Sequence, residues 1–334
     1  MNQNYIDYKN QKSPFISYKE SDLKPYQKLE KMQKLPGLYE DSSSDIWLIE
    51  GLEYIDRLKG VKSAVVKAYN KQATATDFWL GMDALFGLTL CQSYQNAHFS
   101  YPYLSQITHL RIPCVFDSLN SKQACAVVLE KLPGEFLSGT RVNNDTVKQL
   151  SQFMADSHSH AVENIGLISS REHSANTRNQ LEDWQARIKL TINKLANSLN
   201  DNFDSTSKKA GYIKESIEGV SNISLSKIVP LMMDLRWDQF AEENGVVKGI
   251  YDLDCFVFAP IELDFIILEY LLTTEQLTIF VEQYAKAMND KAYIPDLTEV
   301  RNVYRVLLFL MNVLGEEDIE KWMAQPCFFN GNHG

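Results

Sequence analysis

Basic residues are in short supply: 33 lysines and arginines face 43 aspartates and glutamates, a net charge of −10 over 334 residues. That balance argues against nucleic acid as the main partner, because binding a phosphate backbone needs a basic footprint, and it is compatible with a cationic small molecule. Cysteine is scarce too. The five (Cys91, Cys114, Cys125, Cys255 and Cys327) are odd in number, scattered, and never spaced Cys-x-x-Cys, so they read as reduced thiols of a cytoplasmic protein. Long apolar runs are missing. Val306 to Met311 is far too short to span a bilayer, and the opening MNQNYIDYKNQKS has no apolar core of a secretory leader, so a soluble chain with no membrane partner is expected. Repeats and low-complexity tracts are absent, and no glutamate lies between Glu53 and Glu130. What remains is ordinary for a globular protein, 45% hydrophobic and 23% charged, with enough length for one large core or two moderate ones.

The densest signal runs from Ile228 to Leu272. An apolar strand, Ile228 to Leu231, leads to Asp234. A hairpin turning at Glu242–Gly245 returns through a second strand, Val246 to Tyr251, that ends in Asp252 and Asp254, and an amphipathic helix follows from about Leu263. Nine acids (Asp234, Asp238, Glu242, Glu243, Asp252, Asp254, Glu262, Asp264, Glu269) share this stretch with two bases, Arg236 and Lys248. Carboxylates at the ends of apolar strands are costly unless something cationic offsets them. A divalent metal carrying nucleotide phosphate suits that need, since Mg²⁺ takes one or two carboxylates plus phosphate oxygens and water. Phosphoryl transfer also needs an acid beside the accepting hydroxyl, and Asp234 and Asp252 on the two arms of the hairpin are the candidate pair. The alternative is that Asp234 caps a turn and Asp252 ends a strand beside solvent.

Met232-Met233-Asp234-Leu235-Arg236-Trp237-Asp238-Gln239 resembles the His-x-Asp-Leu-Arg-x-Asp-Asn catalytic loop of the aminoglycoside phosphotransferase and choline kinase group. Ile250-Tyr251-Asp252-Leu253-Asp254 is similar to that group's metal-binding strand end, and Ile261-Glu262-Leu263-Asp264-Phe265 to its downstream Asp-Leu-Ala. The resemblance implies Asp234 as base, Arg236 as a partner of Asp252, Asp254 or Asp264, and Mg²⁺ on Asp252 with Gln239 or Asp238, Asp254 being the further acid. Met232 stands where the group has His, and Gln239 where it has Asn.

Upstream, Lys62 to Tyr69 alternates as a strand, with Ala64, Val66 and Ala68 on one face and Val65, Lys67 and Tyr69 on the other. It resembles the group's Val-Leu-Lys strand, which makes Lys67 the phosphate-binding lysine. Ser42, Ser43 and Ser44 fall where the group's phosphate loop lies, although a triple serine is also a good surface turn. The glutamate that usually holds the lysine is lacking. The next helix, expected over Thr76 to Leu90, offers Asp77 or Asp83, with Asp83 preferred, or the pair is missing. Ala124 to Glu130 followed by Lys131-Leu132-Pro133-Gly134 resembles the group's hinge, implying that backbone groups of Glu130, Lys131 and Leu132 meet the adenine edge. A further helix is expected over Tyr26 to Gln33, and another from Asn144, capped by Asn144 or Asp145, whose stripe includes His158; His158 and His160 do not share a helix face and make a poor metal pair.

The expected architecture is thus α+β, a bilobal protein-kinase-like fold: an N-terminal extension over residues 1–35, a small antiparallel-sheet N-lobe over 36–131, and a mainly helical C-lobe over 132–334. The expected activity is ATP- and Mg²⁺-dependent phosphorylation of a hydroxyl on a small-molecule acceptor. The departures at Met232, Gln239 and the missing glutamate point instead to a pseudokinase that binds nucleotide or regulates. The acceptor, the choice of nucleotide and the oligomeric state are not readable from the residues.

Overall fold

Alternating side chains build the first sheet. In the computed structural model, which describes residues 31–36, 43–52, 60–69, 76–121, 124–170, 179–198, 207–289 and 291–331, strands β1 (Lys31–Lys34), β2 (Ser44–Glu50), β3 (Ser63–Tyr69), β4 (Val115–Ser121) and β5 (Ala124–Glu130) pair antiparallel in the order β1-β2-β3-β5-β4. Strand β1 replaces part of the helix expected over Tyr26 to Gln33; residues 26–30 lie outside the described set. Period-two alternation sends Ala64, Val66 and Ala68 to one face, where they join Trp47, Ile49, Leu119, Ala126 and Val128 in a closed core. The opposite face carries Lys67, across from Ile46 on β2 and Val127 on β5.

Two helices follow, where one was expected. Helix α1 spans Asp77–Phe86 and α2 spans Leu90–Ile107. Gly87, at φ +66, takes the left-handed conformation that ends α1, with its N–H on the Asp83 carbonyl and the Leu88 N–H on that of Met82. Thr89 then opens α2, its hydroxyl accepting the Gln92 N–H while the Gln92 side chain accepts the Thr89 N–H. Helix α2 is bolted to the sheet covalently. Cys91 is disulfide-bonded to Cys125 of β5, their Cα atoms 5.5 Å apart. This corrects the expectation that all five cysteines are reduced; the bond joins elements whose proximity no sequence spacing discloses. It also withdraws the support that reduced thiols lent to a cytoplasmic address, since such bonds are uncommon in reducing compartments. Cys114, Cys255 and Cys327 form no disulfide. Among the described residues, no helix is long and apolar enough to cross a membrane.

The chain divides into two compact units. The first takes residues up to Thr76 together with Thr89–Pro102 and Pro113–Pro133; the second takes Asp77–Leu88, Tyr103–Ile112 and everything from Gly134. Residues 77–88 and 103–112, expected in the N-lobe, thus group with the second unit. Its short strands form two sheets, β6 (Glu135–Phe136) with β9 (Phe240–Glu243) and β10 (Val246–Ile250), and β7 (Gly166–Leu167) with β11 (Phe256–Pro260) and β8 (Ile228–Met232). Asn244 and Gly245, both at positive φ, make the two-residue β9–β10 turn, as an Asn-Gly pair favours.

Helices fill the remainder. Asn143, not Asn144 or Asp145, caps α3 (Asn144–His158) through a reciprocal box with Thr146, and α3 packs on α7 (Thr274–Ala287). Helices α4 (Gln180–Ser198) and α5 (Lys208–Gly219) pack on α8 (Arg301–Leu310). Helix α6 (Glu262–Leu271) is buried at every residue from Glu262 to Glu269, and α9 (Ile319–Met323) closes the set. The Glu269 carboxylate of α6 receives Arg301 and Arg305 of α8 and the backbone N–H groups of Phe328 and Phe329.

Candidate active site

Strand β8 is buried along its whole length and pairs antiparallel with the equally buried β11, Met232 opposite Phe256. Just beyond, the Met233 N–H meets the Cys255 carbonyl, so Asp234 leaves one strand where Asp252 to Cys255 enter the other. This differs from the expected geometry. The β9–β10 hairpin is an excursion between the two segments, and the pairing that brings them together uses β11, an element not expected from the residue pattern.

Asp234 is held on both oxygens. The Cys255 thiol donates to Oδ1, Gln239 Nε2 donates to Oδ2 at 2.9 Å, and Arg236 Nη1 stands 3.9 Å from Oδ2. Gln239 Oε1 meanwhile accepts the Arg236 N–H at 3.0 Å, which fixes the amide with its nitrogen toward Asp234. Arg236 is also paired with Asp238 at 3.1 Å. Burial works against the charged guanidinium, but Asp234, Asp238 and Asp252 around it win, and its pKa moves upward. Burial, followed by the charges of Asp234, Asp252 and Asp254, pushes the Cys255 thiol well up, so it stays protonated.

Asp252 is half-buried and its Oδ1 accepts the Asp254 N–H at 3.3 Å; Asp254 itself is buried. Gln239 and Asp238, the other expected metal ligands, are engaged within the loop by the contacts just described. Among the described residues, no three His, Cys, Asp or Glu side chains gather to hold a metal ion. Mg²⁺ that arrives on phosphate oxygens needs only one or two carboxylates from the protein, and Asp252 and Asp254 lie two residues apart just before β11.

In the first unit Lys67 is 6% exposed on the sheet face opposite the apolar core. The Ser44 hydroxyl is bonded to the Tyr94 hydroxyl of α2, Ser43 sits in the bend before β2, and Ser42 lies outside the described residues. The Glu130 N–H donates to the Cys114 carbonyl and its carboxylate receives the Cys114 N–H; Lys131 is exposed and Leu132 buried. Asp83, the expected partner of the lysine, belongs to the second unit. It is exposed on α1, a helix that packs on α4, with Phe86 against Trp184 and the Leu85 carbonyl receiving Arg187. The helix tied to the lysine-bearing sheet is α2, and α2 contains no acidic residue.

Three solved structures superpose on most of the chain. The streptomycin–ATP ternary complex of APH(2″)-IIa is 16% identical, covering 93% of this chain and 93% of that one, with a TM-score of 0.55. The GDP complex of aminoglycoside 2′-phosphotransferase-IIIa is 13% identical, covering 87% and 86%, with a TM-score of 0.54. The apoenzyme of macrolide 2′-phosphotransferase MphH from Brachybacterium faecium is 10% identical, covering 89% and 93%, with a TM-score of 0.50. This is the protein-kinase-like fold. No protein-family model matches the sequence, and no curated protein is similar to it in sequence.

In this kinase-like chain the departure at Met232 has a physical trace. Met232, Met154, Ser157, Phe256 and Asp264 line a small cavity of about 10 Å³, and among the described residues the buried Ser157 Oγ and Asp264 Oδ1 make no hydrogen bond. The other Asp264 oxygen is held by His158, whose second ring nitrogen meets the Tyr284 hydroxyl. Replacing Met232 by His would put a ring nitrogen where a donor is lacking, and is expected to raise unfolding stability by about 1 kcal/mol, measured by chemical denaturation. Sequence reasoning also missed Cys255 and the aromatic pair of Phe136 and Tyr251, whose ring centroids lie 5.0 Å apart just before Asp252. Tyr251 could have been found by its place beside the acid; Cys255 left no signal, because the β8–β11 register that places it was not readable from the residues.

Proposed function

We propose that this protein is a nucleotide-dependent phosphotransferase that moves a phosphoryl group onto a hydroxyl of a small molecule. The observation that carries the reading is Asp234: a half-buried carboxylate at the end of a buried strand, clamped on both oxygens, with a guanidinium beside it and Asp252 in the same electrostatic neighbourhood. The fold supports it, as do the ATP, GDP and streptomycin in the names of structures sharing that fold.

Asp234 orients the acceptor hydroxyl and takes its proton as the hydroxyl oxygen attacks phosphorus and the bond to the bridging oxygen breaks. Mg²⁺, when bound with the nucleotide, neutralises charge building on the phosphate oxygens. Asp252 and Asp254 are the carboxylates assigned to that ion. Arg236 holds Asp234 and Asp238 in a fixed arrangement and supplies positive charge close to the transfer. In the first unit, Lys67 and Ser42–Ser44 are assigned to the phosphates and the backbone of Glu130–Leu132 to the base, with ATP as the expected nucleotide.

Thermal unfolding with ATP, with and without Mg²⁺, tests the reading. Saturation at a hundredfold excess over Kd is expected to stabilise the fold by about 2.7 kcal/mol, and only when the metal is present. No rise in melting temperature with ATP or GTP and Mg²⁺ would reject it. A screen of small-molecule alcohols for phosphate transfer then identifies the acceptor.

A further inference from the structure

We infer that Cys255 is a positioning residue for Asp234: its thiol hydrogen on Oδ1, opposing the Gln239 amide on Oδ2, holds the carboxylate in one orientation. The inference rests on the proposed role of Asp234 as the acceptor-orienting base and adds a residue that the catalytic-loop pattern does not contain.

An ionised carboxylate offers only acceptors, so a sulfur within hydrogen-bonding reach of Oδ1 must bring the hydrogen. The cysteine has little freedom to point elsewhere. It is 1% exposed, its carbonyl receives the Met233 N–H, and the next residue, Phe256, is locked in register with Met232. On the other side Gln239 has no spare orientation, because its oxygen is already on the Arg236 N–H. The two clamps come from the two ends of the excursion that contains β9 and β10, and the one from Cys255 is set by the β8–β11 pairing. Thiols are weak donors, and weakness is an advantage at this position. The hydrogen bond orients Oδ1 and leaves it basic enough to receive a proton. A carboxylate free to rotate would meet the acceptor hydroxyl in fewer of its encounters.

Two measurements on the full chain test this. Infrared difference spectra of wild type against Cys255→Ala isolate the Cys255 S–H stretching band from those of Cys114 and Cys327. In Asp234→Asn, a weaker acceptor, the band is expected to move to higher wavenumber. The second measurement is phosphate release from ATP and Mg²⁺ with water as acceptor. Cys255→Ala is expected to lower kcat roughly tenfold with KM for ATP unchanged, and Cys255→Ser, which restores a donor, to recover most of it. An unmoved band overturns the thiol's role, and so does an equal loss in the Ser and Ala variants or a rise in KM matching the fall in kcat. If Cys255→Ala does not fold, difference spectra against Cys255→Ser isolate the band instead, and the Asp234→Asn shift still decides. Unaltered turnover in Asp234→Asn with a shifted band instead removes the base, and with it the reason for positioning it; lost turnover with an unmoved band removes the thiol alone.

Discussion

Asparagine at position 234 is expected to lower phosphate transfer by about a thousandfold, the middle of the range a positioned base contributes, while the protein still folds. The geometry makes the substitution selective. Asn has the same shape as Asp and keeps one acceptor oxygen, so either Gln239 Nε2 or the Cys255 thiol retains its partner. Arg236 loses one of its neighbouring charges and keeps Asp238 at 3.1 Å. The side chain is also partly accessible, 14%, so no fully buried charge is stranded. Turnover with ATP and Mg²⁺, read beside a denaturation curve, separates the effects. Wild-type turnover in the variant would end the case for Asp234 as base.

The second large effect concerns stability. Glu269→Ala is expected to cost about 3–5 kcal/mol, because removing one member of a buried ion pair leaves its partners uncompensated. Glu269 is 2% exposed, and its two oxygens accept Arg301 Nε at 3.1 Å, Arg301 Nη2 at 3.2 Å, Arg305 Nη2 at 2.7 Å and the Phe328 and Phe329 N–H groups at 2.8 and 3.2 Å. Two guanidinium groups and two backbone donors would lose their acceptor together. Against a total stability of about 5–15 kcal/mol for a typical fold, that loss is decisive. Glu269→Gln keeps an oxygen and is expected to lose about half as much. An exposed pair such as Lys208 and Glu320 is by contrast worth about 0–1 kcal/mol. Urea denaturation of the three variants, with Glu320→Ala as the surface control, checks the ranking; a Glu269→Ala midpoint equal to wild type would show that the network carries no stability.

Glu269 also explains why reading the acids from sequence overreached. Nine carboxylates between Asp234 and Glu269 asked for cations, and a metal was one answer. The fold supplies others: Arg301 and Arg305, 32 and 36 residues downstream, for Glu269, and Arg141 at 2.7 Å for Glu242. Charge pairing across such separations leaves no local pattern. What was legible had period or spacing. The alternation of Ala64, Val66 and Ala68 put those three residues in the core and Lys67 on the far face, and the Asn-Gly turn announced its hairpin. Strand β11 was missed because Phe256 to Pro260 is buried on both faces, so it has no alternation to read, and it ends in a residue that usually signals a break. Helix α2 was missed because its face is mixed, with serines, glutamines, tyrosines and an internal proline; the disulfide it carries is a fact of space, not of order along the chain.

Many kinases are switched by swinging a helix so that its glutamate makes or breaks a bond with the strand lysine. Here the helix beside the lysine-bearing sheet has no acid to bring, and it is tethered at Cys91 and again at Tyr94, which holds Ser44. Reducing the Cys91–Cys125 bond would release that helix from the sheet at its first turn.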